Sequence, residues 1–173
     1  TIPLAGLALA FPMFKLMMMM SAGSIGGAIT REVSNKLGAG DIREAQELAL
    51  HSLLLSLFLA FISSLIFLLA GKWIYTVLGG RGLVLEHALL YSDFFFFGCF
   101  SLWLSTALAA IVRATGNMKV AATGVIAGFI VQALFSAIFI FGLGPIPSLG
   151  ITGAAVGAVL GFSTAAIIHF CLL

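Results

Sequence analysis

Apolar positions along this chain gather in five long blocks, at 3–29, 48–70, 88–112, 120–142 and 150–172. A helix crosses the hydrocarbon of a bilayer with roughly 20 such residues, so each block is long enough to span it with some tilt. Polar positions collect in four links, 31–47, 71–87, 113–119 and 143–149, the last holding Pro145 and Pro147. The pattern predicts an all-α integral membrane protein, a polytopic bundle with five transmembrane helices. Gly38 and Gly40 predict a stop after the first helix. Asp41 and Glu44, three residues apart, predict a capping box at the start of the second. Gly116 and Asn117 predict a stop and restart between the third and fourth.

Composition narrows the possibilities. Of 173 residues, 62% are hydrophobic and 8% charged, against about 25% charged in soluble domains. Soluble enzymes, disordered chains and collagen-like rods are excluded. A net charge of +2 without a basic cluster also excludes nucleic acid as a partner. The lipid bilayer is the partner that the composition requires. Cys99 and Cys171 lie inside apolar blocks, as small buried residues do, and nothing has the spacing of a metal site.

Lys and Arg set orientation. The first and third links, with their flanks, hold Arg31, Lys36, Arg43, Arg113 and Lys119, whereas the second holds Lys72 and Arg81 and the fourth none. The richer side is expected to be cytoplasmic, which puts the N-terminus of the segment outside, its C-terminus inside, and the chain across the cell (inner) membrane. Trp73, Tyr75 and Tyr91 fall where an outer aromatic belt is expected, and Phe94–Phe97 where side chains face lipid or pack. An outside start without Met or a signal peptide is expected of the interior of a longer chain.

Glycines at four-residue spacing predict close helix contact: Gly23 with Gly27, Gly124 with Gly128, and Gly153, Gly157 and Gly161, with Ala110 and Ala114 extending the pattern. Ser63 and Ser64 can bond between helices or to their own i−4 carbonyls.

No catalytic constellation is present. His51, His87 and His169 stand apart near membrane edges, where interfacial or capping roles are expected. Lys15 and Asp93 lie inside spans, where a charge costs about 2.5–3.5 kcal/mol at mid-helix, and they are candidates for a substrate or ion pathway. They lie about 17 Å and 8 Å below the outer ends of their blocks at 1.5 Å per residue, so a Lys15–Asp93 pair is allowed. Asp93 at a wet outer interface is the alternative. Pro12 is expected to kink the first helix and admit water near Lys15. Of Met17–Met20, at most two can line a cavity, since four consecutive residues cover every face.

The run FPMFKLMMMMSAGSIGGAI followed by LGAGD, then YTVLGGRG, AIVRATGNMK and IFIFGLGPIPSLGITGAAVGA, resembles spans two to six of the multidrug and toxic compound extrusion (MATE) transporters, in order and spacing. The resemblance covers nearly the whole chain and implies a partial N-terminal transmembrane lobe over 1–173. Twelve helices in two six-helix lobes would then make the whole, with the first helix and the C-terminal lobe supplied by the same polypeptide. It implies a secondary-active antiporter that exports small organic substrates, cationic or amphiphilic, against H⁺ or Na⁺ by alternating access, with no cofactor beyond that ion. An Asn and an Asp four residues apart on the family's fifth helix fall here on Gln132 and Ser136. Both can offer oxygens, but neither titrates. Two other readings stay open: a lipid-linked precursor flippase, which predicts a strongly basic cavity, and a non-transporting structural subunit.

Overall fold

The computed structural model describes residues 2–142 and 148–173. Pro145 and Pro147 of the last predicted link lie outside the described residues. All regular structure within them is helical.

The first predicted span extends well past its expected end. Helix α1 (Ile2–Met18) passes through a π-helical stretch, Met19–Ile25, into α2 (Gly26–Gly38), one run of 37 residues. The continuation holds because Ile29, Val33 and Leu37, spaced by four, present one apolar stripe that packs on neighbouring helices. Pro12 lies inside α1 and ends nothing; the departure from α geometry comes a turn and more later. Gly40 then makes the turn with a positive φ of 79°.

Helix α3 (Ile42–Val77) also overruns its apolar block at both ends. Asp41 is its N-cap residue, but it makes no side-chain cap. The expected capping box is absent because Glu44 turns away to pair with Lys36 of α2. Runs of 37 and 36 residues are each about 55 Å long, so both protrude beyond a 30 Å hydrocarbon layer and meet at the same end.

The third predicted span is broken. Helices α4 (Gly82–Phe97) and α5 (Cys99–Ala114) meet at Gly98 with a 50° bend. Sixteen residues reach about 24 Å, too short to cross alone, so the pair makes one bent span. A neighbour packs tightly at the bend: the Val159 side chain occupies the space of a Gly98 Cβ, with its own Cβ 3.1 Å from that position. Helix α6 (Met118–Phe141) starts at Asn117, whose Oδ1 accepts from the Val120 N–H at 3.2 Å, and stops at Gly142 in the left-handed region. Helix α7 (Ile151–Cys171) completes four helices able to span, or five spans counting the bent pair.

The core lies around the bend. Phe95, Phe96, Cys99, Leu102 and Trp103 are buried between α1, α3 and α7. Phe96 stacks on Phe67 with ring centroids 4.1 Å apart, and Phe14 meets Phe95 edge-on at 5.0 Å. Phe94 and Phe97 are exposed, so the aromatic run divides between core and surface. The expected aromatic belt is corrected: Trp73 is exposed, but Tyr75 and Tyr91 are buried. Tyr75 turns inward because the Ser92 hydroxyl offers its phenol a partner at 2.6 Å. Cys171 is exposed, contrary to expectation, while Cys99 is buried. Ser63 bonds back to the Leu59 carbonyl rather than across helices.

Candidate functional site

The cleft with the most chemistry lies where α5, α6 and α7 meet the π-helical stretch. Its volume is about 160 Å³, similar to an engineered 150 Å³ cavity that holds benzene and below the ~300–1,000 Å³ of drug-sized pockets. It can hold one end of an organic molecule.

Glycine makes room for it. An added Cβ on Gly128 would sit 2.8 Å from the Gly161 carbonyl oxygen, and one on Gly161 would sit 2.7 Å from both the Gly128 oxygen and Gln132 Cβ. The α6 and α7 backbones therefore nearly touch. Gly153 fits against the Phe139–Ile140 backbone, and Gly157 against Ser136. Gly124 lies under the His169 ring, leaving no space for a side chain. Gly23 and Gly27 differ: a Cβ on either meets nothing within 4 Å. Their spacing is right, but their face points away from these helices. One residue before Gly27, Gly26 is buried against Ser21, Arg113 and Ala110, and Gly6 fits against His87.

The polar residues of the cleft come from three helices. Ser105, Thr106 and Arg113 stand on α5, Gln132 on α6 and His169 on α7, with Met18 beside the π-helical stretch. Thr106 Oγ1 is hydrogen-bonded to Ser21 Oγ, tying that stretch to α5. Thr30 adds a second tie by donating to the Ala110 carbonyl at 3.1 Å. Arg113, half-buried in the last turn of α5, has no ion pair among the described residues. Among the described residues, no carboxylate lines the cleft.

His169 is corrected most. It is fully buried, not interfacial. Its Nε2 is 3.1 Å from the Ala121 carbonyl, which only accepts, so Nε2 carries the proton and donates. Nδ1 then presents a lone pair with no partner among the described residues. His87 is half-buried with an unpartnered Nδ1, and His51 is exposed with Nδ1 2.7 Å from the Glu47 carbonyl.

The other predicted site residues scatter. Lys15 and Asp93 are both exposed, on α1 and α4, and do not form an ion pair. Gln132 lines the cleft, whereas Ser136, one turn on, packs against α7 at Gly157. Of the four methionines, Met17 is in the core, Met18 lines the cleft, and Met19 and Met20 are exposed.

Similarity to known proteins gives this bundle its place. The MatE family matches residues 1–138. Among solved structures, the inward-facing conformation of a multidrug resistance MATE family transporter of the MOP superfamily is 27% identical, with a TM-score of 0.93 over 99% of this chain and 38% of that one. The outward-facing conformation of such a transporter is also 27% identical, with a TM-score of 0.87 over 98% of this chain and 37% of that one. A MOP superfamily transporter from Pyrococcus furiosus, described as having a binding pocket of reverse polarity, is 27% identical, with a TM-score of 0.87 over 98% and 37%. No curated protein sequence matches. The chain thus spans about 38% of the length of the solved structures it resembles. By the sequence match over 1–138 and the superposition of its helices, the chain belongs to the MatE family.

Proposed function

We propose that this chain is most of the N-terminal lobe of a secondary-active efflux transporter that moves organic compounds, cationic or amphiphilic, by alternating access in exchange for H⁺ or Na⁺. Family membership over 1–138 carries the reading. Likeness to both inward- and outward-facing transporters supports the alternating-access part. A first helix and a C-terminal lobe from the same polypeptide complete the cavity, in keeping with the 38% share of its relatives' length. The Lys and Arg distribution supports an outside N-terminal and a cytoplasmic C-terminal end in the cell (inner) membrane.

Gln132 meets substrate or ion from the cleft, and Ser136 steadies α7 behind it. Lys15 and Asp93, charged and exposed, act from faces outside this cleft. A flippase for lipid-linked precursors needs a strongly basic cavity, and Arg113 is one cation.

The test is efflux of a fluorescent cationic dye from cells that express the native full-length polypeptide. Dye retention should fall against an empty vector, and Lys15→Leu, Asp93→Asn and Gln132→Ala should each restore part of it at unchanged expression. Retention equal to the vector's overturns the reading. Full efflux by all three variants removes these residues from the pathway.

A further inference from the structure

We infer that the π-helical stretch Met19–Ile25 is a joint at which α1 and its neighbours pivot against α2 and its neighbours, and that the Ser21–Thr106 hydrogen bond is the latch that holds it. The inference deepens the efflux reading and rests on it for its use, by naming a part that moves inside the lobe.

Packing comes first. Among the described residues, the buried side chains of the first span belong to two separate apolar clusters. Ala10 and Met17 of α1 pack in one, with Ala60 of α3, Phe95 of α4 and Trp103 of α5. Ile29 and Val33 of α2 pack in the other, with Ala45 of α3 and Ala107 of α5. Between the two clusters lies a level of hydroxyls: Ser21 in the π-helical stretch, Ser56 in α3 and Ser105 in α5 are all buried, and Thr106 stands beside Ser105. Ser56 and Ser105 donate to carbonyls of their own helices, Ser52 at 2.8 Å and Leu102 at 3.0 Å. Bonds of that kind bend helices rather than join them.

Each half is tightly knit within itself. An added Cβ on Gly6 would lie 2.6 Å from His87 Cβ and 3.0 Å from the Ala88 nitrogen, so α1 sits directly on α4. On the other side Thr30 ties α2 to the Ala110 carbonyl at 3.1 Å. A change in angle between the halves therefore falls on what lies between them. There the Gly26 N–H reaches back five residues to the Ser21 carbonyl, and wide turns of this kind are where helices kink. Helix α3 crosses the same level unbroken and joins the two halves as a common rod. The latch has a direction. Thr106 Oγ1 donates to the Leu102 or Trp103 carbonyl, each at 3.0 Å, so it accepts from Ser21 Oγ. Removing the Ser21 hydroxyl opens the latch and leaves Thr106 bonded.

The experiment uses the purified full-length polypeptide in lipid nanodiscs without substrate, its accessible cysteines, Cys171 among them, replaced by serine. Spin labels on Leu4→Cys and Asn35→Cys straddle the joint. Labels on Ile42→Cys and Trp73→Cys, equally far apart in sequence, lie along unbroken α3, and all four positions are exposed. Double electron–electron resonance should give a wider distance distribution across the joint than along α3. Ser21→Ala should widen the first further and leave the second as it was. Amide hydrogen exchange in the same variant should quicken about fivefold within 19–25, the equivalent of one hydrogen bond, with 10–17 and 29–33 unchanged. A distribution across the joint as narrow as that along α3 overturns the inference, and it does so on the unaltered latch, even where Ser21→Ala does not fold. So does a folded Ser21→Ala with the original distribution, or one whose exchange quickens equally in the flanks. Both readings are taken without transport. A pivoting joint in a protein that exports nothing would overturn the efflux reading and leave the joint standing, whereas a rigid run in a working exporter would overturn the joint alone.

Discussion

Gly161→Ala should destabilise the bundle by forcing α6 and α7 apart. The new methyl would lie 2.7 Å from the Gly128 carbonyl oxygen and 2.7 Å from Gln132 Cβ. Ordinary contact is at least 3.4 Å, so roughly 0.7 Å must be found, and a gap of ~0.5–1 Å forfeits a quarter to a half of each contact's attraction. One obstacle is backbone and cannot rotate away, which puts the strain toward the upper part of the usual ~1–3 kcal/mol for overpacking. Working against this, Ala gains ~0.5–1 kcal/mol over Gly within a helix. Gly27→Ala in α2 makes the same exchange with nothing within 4 Å. The helix-propensity gain cancels between the two variants, so their difference isolates the interhelical strain, about 2–3 kcal/mol. Reversible unfolding of the full-length protein in mixed micelles reads it directly. If Gly161→Ala unfolds within about 0.5 kcal/mol of Gly27→Ala, the close approach of α6 and α7 is wrong.

Three further outcomes are expected. Tyr75→Phe should cost about 1 kcal/mol in the same assay. The Tyr75 hydroxyl donates to Ser92 Oγ at 2.6 Å while Ser92 donates to the Ala88 carbonyl, so removing the phenol leaves Ser92 with a partner; a loss of several kcal/mol would contradict that network. Gly98→Ala should destabilise through collision with Val159, and adding Val159→Ala should recover part of the loss; a double-mutant cycle with no coupling, against an expected ~1 kcal/mol or more, would contradict the tight packing of Val159 at the bend. The Lys36 ammonium titrates above its ordinary value because Glu44 accepts its hydrogen bond and attracts its charge; the pair's contribution is therefore whole below the ordinary lysine value and fades as pH rises through the raised one. NMR titration of lysine Cε signals should show Glu44→Gln bringing that ammonium down, and an unmoved titration would dissolve the pair.

What was legible follows from what a single chain can encode about itself. The helices and their stops depend on run length and on backbone freedom at particular positions. Gly40, Gly116 and Gly142 all take positive φ where helices end, and residues other than glycine rarely do so. Which face of each helix is inward is different, because a helix that is apolar all round carries no stripe to read. Tyr75 and Trp73, two residues apart at one helix end, lie on opposite faces, and only Tyr75 meets a partner, Ser92. Four-residue glycine spacing is equally present at Gly23–Gly27 and Gly124–Gly128, yet only the second pair meets a neighbour. The bend at Gly98 had no proline to announce it, and Val159, which packs there, is 61 residues away on another helix.

His169 shows where the missing signal lay. Nothing beside it in sequence provides a partner, and its flanks are apolar, so a place at the membrane edge was the natural expectation. Its partner, the Ala121 carbonyl, is 48 residues away, and the space for its ring is the absent side chain of Gly124. A four-residue row of small residues on one span is thus an opening as well as a contact stripe, and a large polar residue on the next span can occupy it. Burying that ring costs free energy unless its nitrogens are satisfied. The Nε2 bond to the Ala121 carbonyl meets that demand on one side of the ring, while Nδ1 has no partner among the described residues.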